Sequence, residues 1–118
     1  MTVKHILQVA YYSSLLETRA RMLEADGYRV TSVLGNGTAQ AMEAVLMESI
    51  DLVIIGFCAP TSVRAAMVHW FKKNFPAVPV VMLQSHSWET LVDADLAMLS
   101  EDPAVWLAAI ATTLNRTC

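Results

Sequence analysis

Leu52-Val53-Ile54-Ile55, four apolar residues in a row, constrain this chain more than any other feature. A strand with one solvated face alternates apolar and polar residues, whereas an unbroken run needs cover on both faces, as a central strand of a parallel sheet has. Helices must then flank the sheet on both sides, and the chain must supply strand and helix in alternation. It does so at near-regular intervals. A first strand reads His5-Ile6-Leu7-Gln8-Val9-Ala10, and Ser14 with Glu17 has the spacing of a capping box, which predicts a helix with Leu16, Ala20 and Leu23 inward and Gly27 at its end. A second strand spans Arg29 to Leu34, and after Gly35-Asn36-Gly37 a helix capped by Thr38 carries Met42, Val45 and Leu46.

The central strand, Asp51-Leu52-Val53-Ile54-Ile55, leads to Pro60 and a helix from about Ser62 to Asn74, with Val63, Met67, Trp70 and Phe71 at helical spacing. The fourth strand is Val78-Pro79-Val80-Val81-Met82-Leu83. Ser85 to Asp95 has room for about two helical turns, a shortened fourth helix. Leu96 to Leu99 is a short fifth strand, and Asp102 with Pro103 opens the last helix as N-cap and first helical residue. The fold predicted is α/β: one domain over residues 1–118, a doubly wound (βα)5 sandwich around a five-stranded parallel sheet.

Composition supports a self-sufficient core and removes several functions. Of 118 residues 55% are hydrophobic and 16% charged, so the chain needs neither disulfides nor metal to fold. With 11 acidic against 8 basic residues the net charge is -3, and the basic residues form no stripe, which excludes nucleic acid as the expected partner. No apolar run approaches the roughly 20 residues that span a bilayer. Met1 to Lys4 run straight into the first strand without a cleavage site, and Cys58 and Cys118 are two thiols without zinc-site spacing. A cytoplasmic protein that needs no membrane is expected.

Five framework pieces in order, the first strand, Leu23-Glu24-Ala25-Asp26-Gly27-Tyr28, Asn36-Gly37, Asp51 to Pro60, and Phe75 to Leu83, resemble the receiver domain of bacterial response regulators. The resemblance spans essentially the whole chain and implies a CheY-like fold. It also implies a site, and there the chain departs from the pattern. The acidic pair that follows the first strand in receivers falls on Ala10 and Tyr11, and the phosphoacceptor aspartate falls on Gly56. The switch Ser/Thr falls on Gln84. The lysine after the fifth strand falls on Glu101, with Ser100 and Asp102 as its neighbours in an alignment uncertain by a residue, and Met98 or Leu99 takes the place of the switch aromatic.

Mg²⁺ is held through carboxylates and phosphate oxygens, and phosphoryl transfer to the protein needs a nucleophile and compensating positive charge. Ala10, Tyr11 and Gly56 supply no carboxylate, so the expectation is a pseudo-receiver with no metal, no cofactor and no enzymatic activity. An aspartate placed at position 56 is expected to have a raised pKa beside Glu101 and Asp102.

Other constellations favour ordinary packing or solvation. Ser85-His86-Ser87-Trp88 follows the fourth strand at the sheet edge where α/β folds bind ligands, yet neighbours in sequence seldom form a nucleophile and base pair. His5 and His69 lie on different elements. Cys58 has no cation beside it in sequence to activate a thiolate. Tyr11 and Tyr12 line a cleft left by Ala10 and Gly56, or Tyr11 or Gln84 fills it, filling being favoured, and Asp93 and Asp95 read as a solvated turn.

The expected function is a stand-alone module of a two-component or phosphorelay-type system, with no room for an output domain and acting through protein–protein contact. Its partner would be a histidine kinase, another regulator, or a second copy in a homodimer. The runner-up is a small-molecule or effector sensor using the emptied pocket at the C-terminal edge of the sheet. The contact surface is expected on the last helix and the segment before it. Trp88, Trp106, Ile110 and Leu114 are the anchors, because Trp106 and Ile110 form one row and Leu107, Ala111 and Leu114 a second, more than one packing stripe requires. Internal packing of both tryptophans is the alternative.

Overall fold

His5–Ala10 (β1) is buried at all six positions, which places it inside the sheet, with Arg29–Leu34 (β2) on one side and Leu52–Ile55 (β3) on the other. The computed structural model describes residues 3–42, 47–57, 59–84, 96–99 and 103–115. Beyond β3 lie Val80–Gln84 (β4) and Leu96–Leu99 (β5), in the order β2-β1-β3-β4-β5 with all four pairings parallel. β3, the strand with the unbroken apolar run, is buried at every position. The chain leaves β1 toward β2 and returns to the other side for β3, so the direction of winding reverses between β1 and β3. Crevices for ligands in such sheets open at the carboxyl ends of the strands beside that reversal.

Four helices are described: Ser13–Ala25 (α1), Asn36–Gln40 (α2), Thr61–Asn74 (α3) and Pro103–Asn115 (α4). α1 and α4 cover one face, where Leu23, Trp106, Ile110 and Leu114 pack on Ile6, Leu52, Ile54, Val81 and Leu83. On the other face Ala39, Met67, Val68 and Phe71 pack on Leu7, Val9, Val53, Ile55, Val80 and Met82. Adjacent strand residues thus serve opposite cores, the period-two consequence of the pleat.

Several local expectations need correction. α1 does not use the Ser14–Glu17 capping box: it begins at Ser13 after an extended Tyr12, with no side-chain cap, and Tyr12 carbonyl accepts from the Leu16 amide at 3.1 Å. Its end is as expected. Gly27 has φ 93°, the Tyr28 amide reaches Leu23 carbonyl at 3.2 Å and the Gly27 amide reaches Glu24 carbonyl at 3.0 Å, a Schellman closure that a side chain at position 27 would strain.

α2 starts at Asn36 after Gly35 (φ 87°) rather than behind Thr38, and Met42 packs against the core while Val45 and Leu46 lie outside the described residues. β4 begins at Val80 because Pro79 has no amide to give; its carbonyl still accepts from Val53 at 3.0 Å. The inward stripe of α3 is Arg64, Met67, Val68 and Phe71, turned from the expected one: Val63 is 36% exposed, and Trp70 stands edge-on to Phe71 at 5.0 Å. The shortened helix expected within 85–95 lies outside the described residues.

Candidate functional site

The site expected from the sequence surrounds the carboxyl ends of β1 and β3. Gly56 follows β3, is buried, and donates its amide to Val9 carbonyl at 2.9 Å. Ala10 at the end of β1 is fully buried. A Cβ on Gly56 would stand 2.6 Å from Arg19 Nη1 and 3.6 Å from Val9 carbonyl oxygen. The guanidinium of Arg19, from the middle of α1, therefore fills the space into which a side chain at position 56 would project. Arg19 is 5% exposed, and its Cζ lies 5.3 Å from the centroid of the half-buried Phe57 ring, within cation–π range.

Tyr11 turns toward the opposite face of the sheet. Its hydroxyl donates to Asn36 Oδ1 at 2.6 Å, and Asn36 Nδ2 donates to Val63 carbonyl at 2.9 Å, so one relay ties the end of β1, the start of α2 and the first turn of α3. Burial pushes the Tyr11 hydroxyl up to about 12, with the Arg64 charge pulling the other way, which keeps it a donor across the physiological range. The space beside Gly56 is filled by Arg19 and not by Tyr11, and Tyr12 is 61% exposed.

A second arginine borders the same edge. Arg64, 2% exposed, donates from Nε to Ala59 carbonyl at 2.9 Å, with longer contacts from Nη1 to Leu83 carbonyl at 3.5 Å and from Nη2 to Thr61 Oγ1 at 3.4 Å. It joins the loop after β3 to the end of β4. The stems of Arg19 and Arg64 lie on the inward stripes of their helices while the guanidinium heads reach the strand ends, the usual division of labour in a long basic side chain.

Among the described residues the side chain nearest Gly56 is the Arg19 guanidinium. Ala10, Tyr11 and Gly56 bring no carboxylate, and a guanidinium beside them repels a divalent cation, so these residues do not suit Mg²⁺. Among the described residues there is no group of three or more His, Cys, Asp or Glu placed to hold a metal, and no helix is long and apolar enough to cross a membrane. Gln84 ends β4, and nothing is described of its side chain. Glu101, Ser100, Asp102, Trp88, Ser85, His86, Ser87, Cys58, Asp93 and Asp95 lie outside the described residues.

Trp106, Ile110 and Leu114 were expected as exposed contact anchors, and the structure corrects this. They are 2%, 0% and 2% exposed and pack on the sheet. The row Trp106–Ile110–Leu114 is the packing stripe itself, while Leu107 only borders it and Val105, 51% exposed, points away. His5 lies at the far edge of the sheet, buried, with Nδ1 paired to Ser49 Oγ at 3.0 Å and Nε2 to Thr31 Oγ1 at 2.6 Å, and His69 is exposed on α3. The two share no site.

Sequence reasoning missed both arginines. The signal was present: Leu16, Arg19, Ala20 and Leu23 follow the i, i+3, i+4, i+7 pattern of one helix face, and so do Arg64, Met67, Val68 and Phe71.

No family model matches the chain, and no curated protein sequence matches it. Solved structures do. A response regulator receiver domain protein from Clostridium thermocellum superposes with a TM-score of 0.84 at 21% identity, covering 98% of this chain and 97% of that one. The CheY-like receiver domain protein from Methanospirillum hungatei JF-1 gives 0.81 at 20% identity, over 98% and 96%. Response regulator TrrA from Thermotoga maritima, in complex with Mg²⁺-BeF, gives 0.79 at 18% identity, over 95% and 99%. The fold is that of CheY-like receiver domains.

Proposed function

We propose that this chain is a receiver-like signalling module of two-component or phosphorelay type that works by binding another protein, without aspartyl phosphorylation and without enzymatic activity of its own. The observation that carries the reading is the Arg19 guanidinium standing 2.6 Å from the place of a Cβ on Gly56. An arginine stays protonated and is no phosphoryl acceptor, and it takes the volume an acceptor carboxylate would need. A domain that keeps the receiver fold while its acceptor position is filled by a cation retains surfaces to present rather than a reaction to perform.

The partner proposed is a histidine kinase, another regulator or a second copy of this chain, in the cytoplasm. Intact-mass measurement after incubation with acetyl phosphate and Mg²⁺ tests the first half: no added phosphoryl group is expected, and an acid-labile adduct refutes the reading. Sedimentation equilibrium of the chain alone, followed by titration with purified kinases and regulators of the same host, tests the second. A chain that is monomeric and binds none of them refutes it. The runner-up reading, an effector in the emptied pocket, meets the difficulty that the Arg19 side chain occupies the space beside Gly56.

A further inference from the structure

Of the three asparagines in the chain, Asn36 alone is followed by glycine. In an Asn-Gly pair the second amide nitrogen can attack the side-chain carboxamide, since no Cβ stands in its way. Gly37 is exposed, a Cβ on it would meet nothing within 4 Å, and it lies in the first turn of α2, where amides have no intrahelical acceptor. Asn36, by contrast, is held. Its Oδ1 accepts from the Tyr11 hydroxyl at 2.6 Å and its Nδ2 donates to Val63 carbonyl at 2.9 Å. Closing a ring between the carboxamide carbon and the Gly37 nitrogen takes residue 36 out of the helical backbone and its side chain out of those bonds. We propose that Asn36 is a self-modifying residue, converted to aspartate or isoaspartate through a cyclic imide with Gly37, and that the Tyr11–Asn36–Val63 relay sets the rate by guarding it.

The conversion consumes only water. The Gly37 amide gives its proton to hydroxide and its nitrogen bonds to Asn36 Cγ; the Cγ–Nδ2 bond breaks, and Nδ2 takes up a proton and leaves as ammonia. Water then opens the five-membered imide at one of its two carbonyls, returning a proton to the Gly37 nitrogen and leaving a carboxylate. Opened at the main-chain side the product is isoaspartate, and at the side-chain carbon it is aspartate. Either product undoes the tie to α3. Aspartate has no Nδ2 to donate and sets a carboxylate oxygen against Val63 carbonyl, acceptor against acceptor, while isoaspartate adds a carbon to the main chain at the residue that starts α2, directly after Gly35 with its φ of 87°. Because the relay must open before the nitrogen attacks, the rate follows the population of that local opening. The change is one-way and adds a negative charge at the carboxyl end of β2. It rests on the relay and the Asn-Gly pair, independently of the signalling reading.

The test incubates the full chain at neutral and mildly alkaline pH, natively and in urea, alongside Tyr11→Phe and Gly37→Ala, and follows the peptide holding Asn36 by mass, with isoaspartate scored by enzymatic methylation. Tyr11 stays a donor over this range, burial having pushed its hydroxyl up to about 12. A gain of a single dalton at Asn36 is expected, faster at the higher pH and fastest in urea. Tyr11→Phe should modify about two- to ten-fold faster than the native chain, the factor that one hydrogen bond is worth. Gly37→Ala, which the open space at that position admits, should be the slowest. The modified protein, separated by its extra charge, should exchange the Ala39 and Ala41 amides faster, whose acceptors are the Gly35 and Gly37 carbonyls at 3.3 and 3.1 Å. Modification centred on Asn74 or Asn115, Gly37→Ala as fast as the native chain, Tyr11→Phe no faster than it, or unchanged exchange in the modified protein each overturns the proposal. Should Tyr11→Phe fail to fold, a native rate equal to the rate in urea overturns the guarding role.

Discussion

Replacing Gly56 by alanine adds one methyl group where the structure leaves no room for it. The new Cβ would lie 2.6 Å from Arg19 Nη1, against about 3.4 Å for ordinary contact, so the guanidinium must retreat by most of an ångström. The atom that moves is the end of a flexible side chain, but one that is 5% exposed and shares its site with Phe57. Overpacking of this kind costs about 1–3 kcal/mol, and Gly56→Ala should lose stability by the lower half of that range.

Gly56→Asp makes the same overlap and adds a carboxylate against the cation. An opposite charge in contact lowers a carboxylate pKa by about 1–3 units, each unit being about 1.4 kcal/mol. Desolvation of the new charge works against this, leaving the aspartate variant about 1–2 kcal/mol more stable than the alanine variant at neutral pH. The sign with pH follows. A depressed folded-state pKa gives an advantage that is full above the unfolded value of about 3.9 and is lost as pH falls through the folded one. Urea unfolding of the native chain and both variants between neutral and acidic pH measures all three quantities, and neither variant should take up phosphate. Two results refute the reasoning. An alanine variant as stable as the native chain would mean Arg19 does not fill the site, and an aspartate variant less stable than alanine at pH 7 would restore the expectation, drawn from Glu101 and Asp102 in sequence, that like charges raise its pKa.

Trp106→Ala should destabilise by about 3–5 kcal/mol in urea unfolding, the cost of a large cavity under α4, and leave the sedimentation behaviour of the folded protein unchanged; altered association with intact stability would return Trp106 to the surface. His5 has a pKa held below its ordinary value of 6.5, by burial first and by Arg29 second, with Asp51 opposing. The unfolded chain therefore takes up a proton first as pH falls, so stability is full above about 6.5 and declines as pH drops toward the lowered folded value; His5→Gln should flatten the urea midpoint over that window, and an unchanged slope counts against it. Arg64→Met strands the Ala59 carbonyl, whose partner is Arg64 Nε at 2.9 Å, and should cost about 1–3 kcal/mol, with faster amide exchange at Ala59 and Thr61; a neutral substitution would mean that water satisfies that carbonyl.

What could be read from the sequence was the periodic part of the molecule. Leu52 to Ile55 is a strand covered on both faces, Leu96 to Leu99 is the fifth strand, and Gly27 closes α1, each a local pattern with a local cause. The phase of an apolar helix was harder. α4 has more apolar positions than one packing stripe needs, and periodicity alone does not say which of them face the sheet; Trp106, Ile110 and Leu114, expected as contact anchors, are the ones that pack inward. Arg19 was illegible for a different reason. Its stem fits an inward stripe, but its head is accommodated only because Gly56, on another element, has no side chain. That fit exists between two positions and is visible from neither alone.

The pairing of Arg19 with Gly56 also constrains the routes by which this sequence can change. Shortening Arg19 while position 56 stays glycine opens a void beside the strand end, and enlarging position 56 while Arg19 stays makes an overlap. An acceptor carboxylate with room around it needs both substitutions, and shortening Arg19 alone, or adding an uncharged side chain at position 56 alone, passes through a less stable protein. Two residues on separate elements are therefore coupled: the size of the side chain tolerated at one position is set by the size of the side chain at the other.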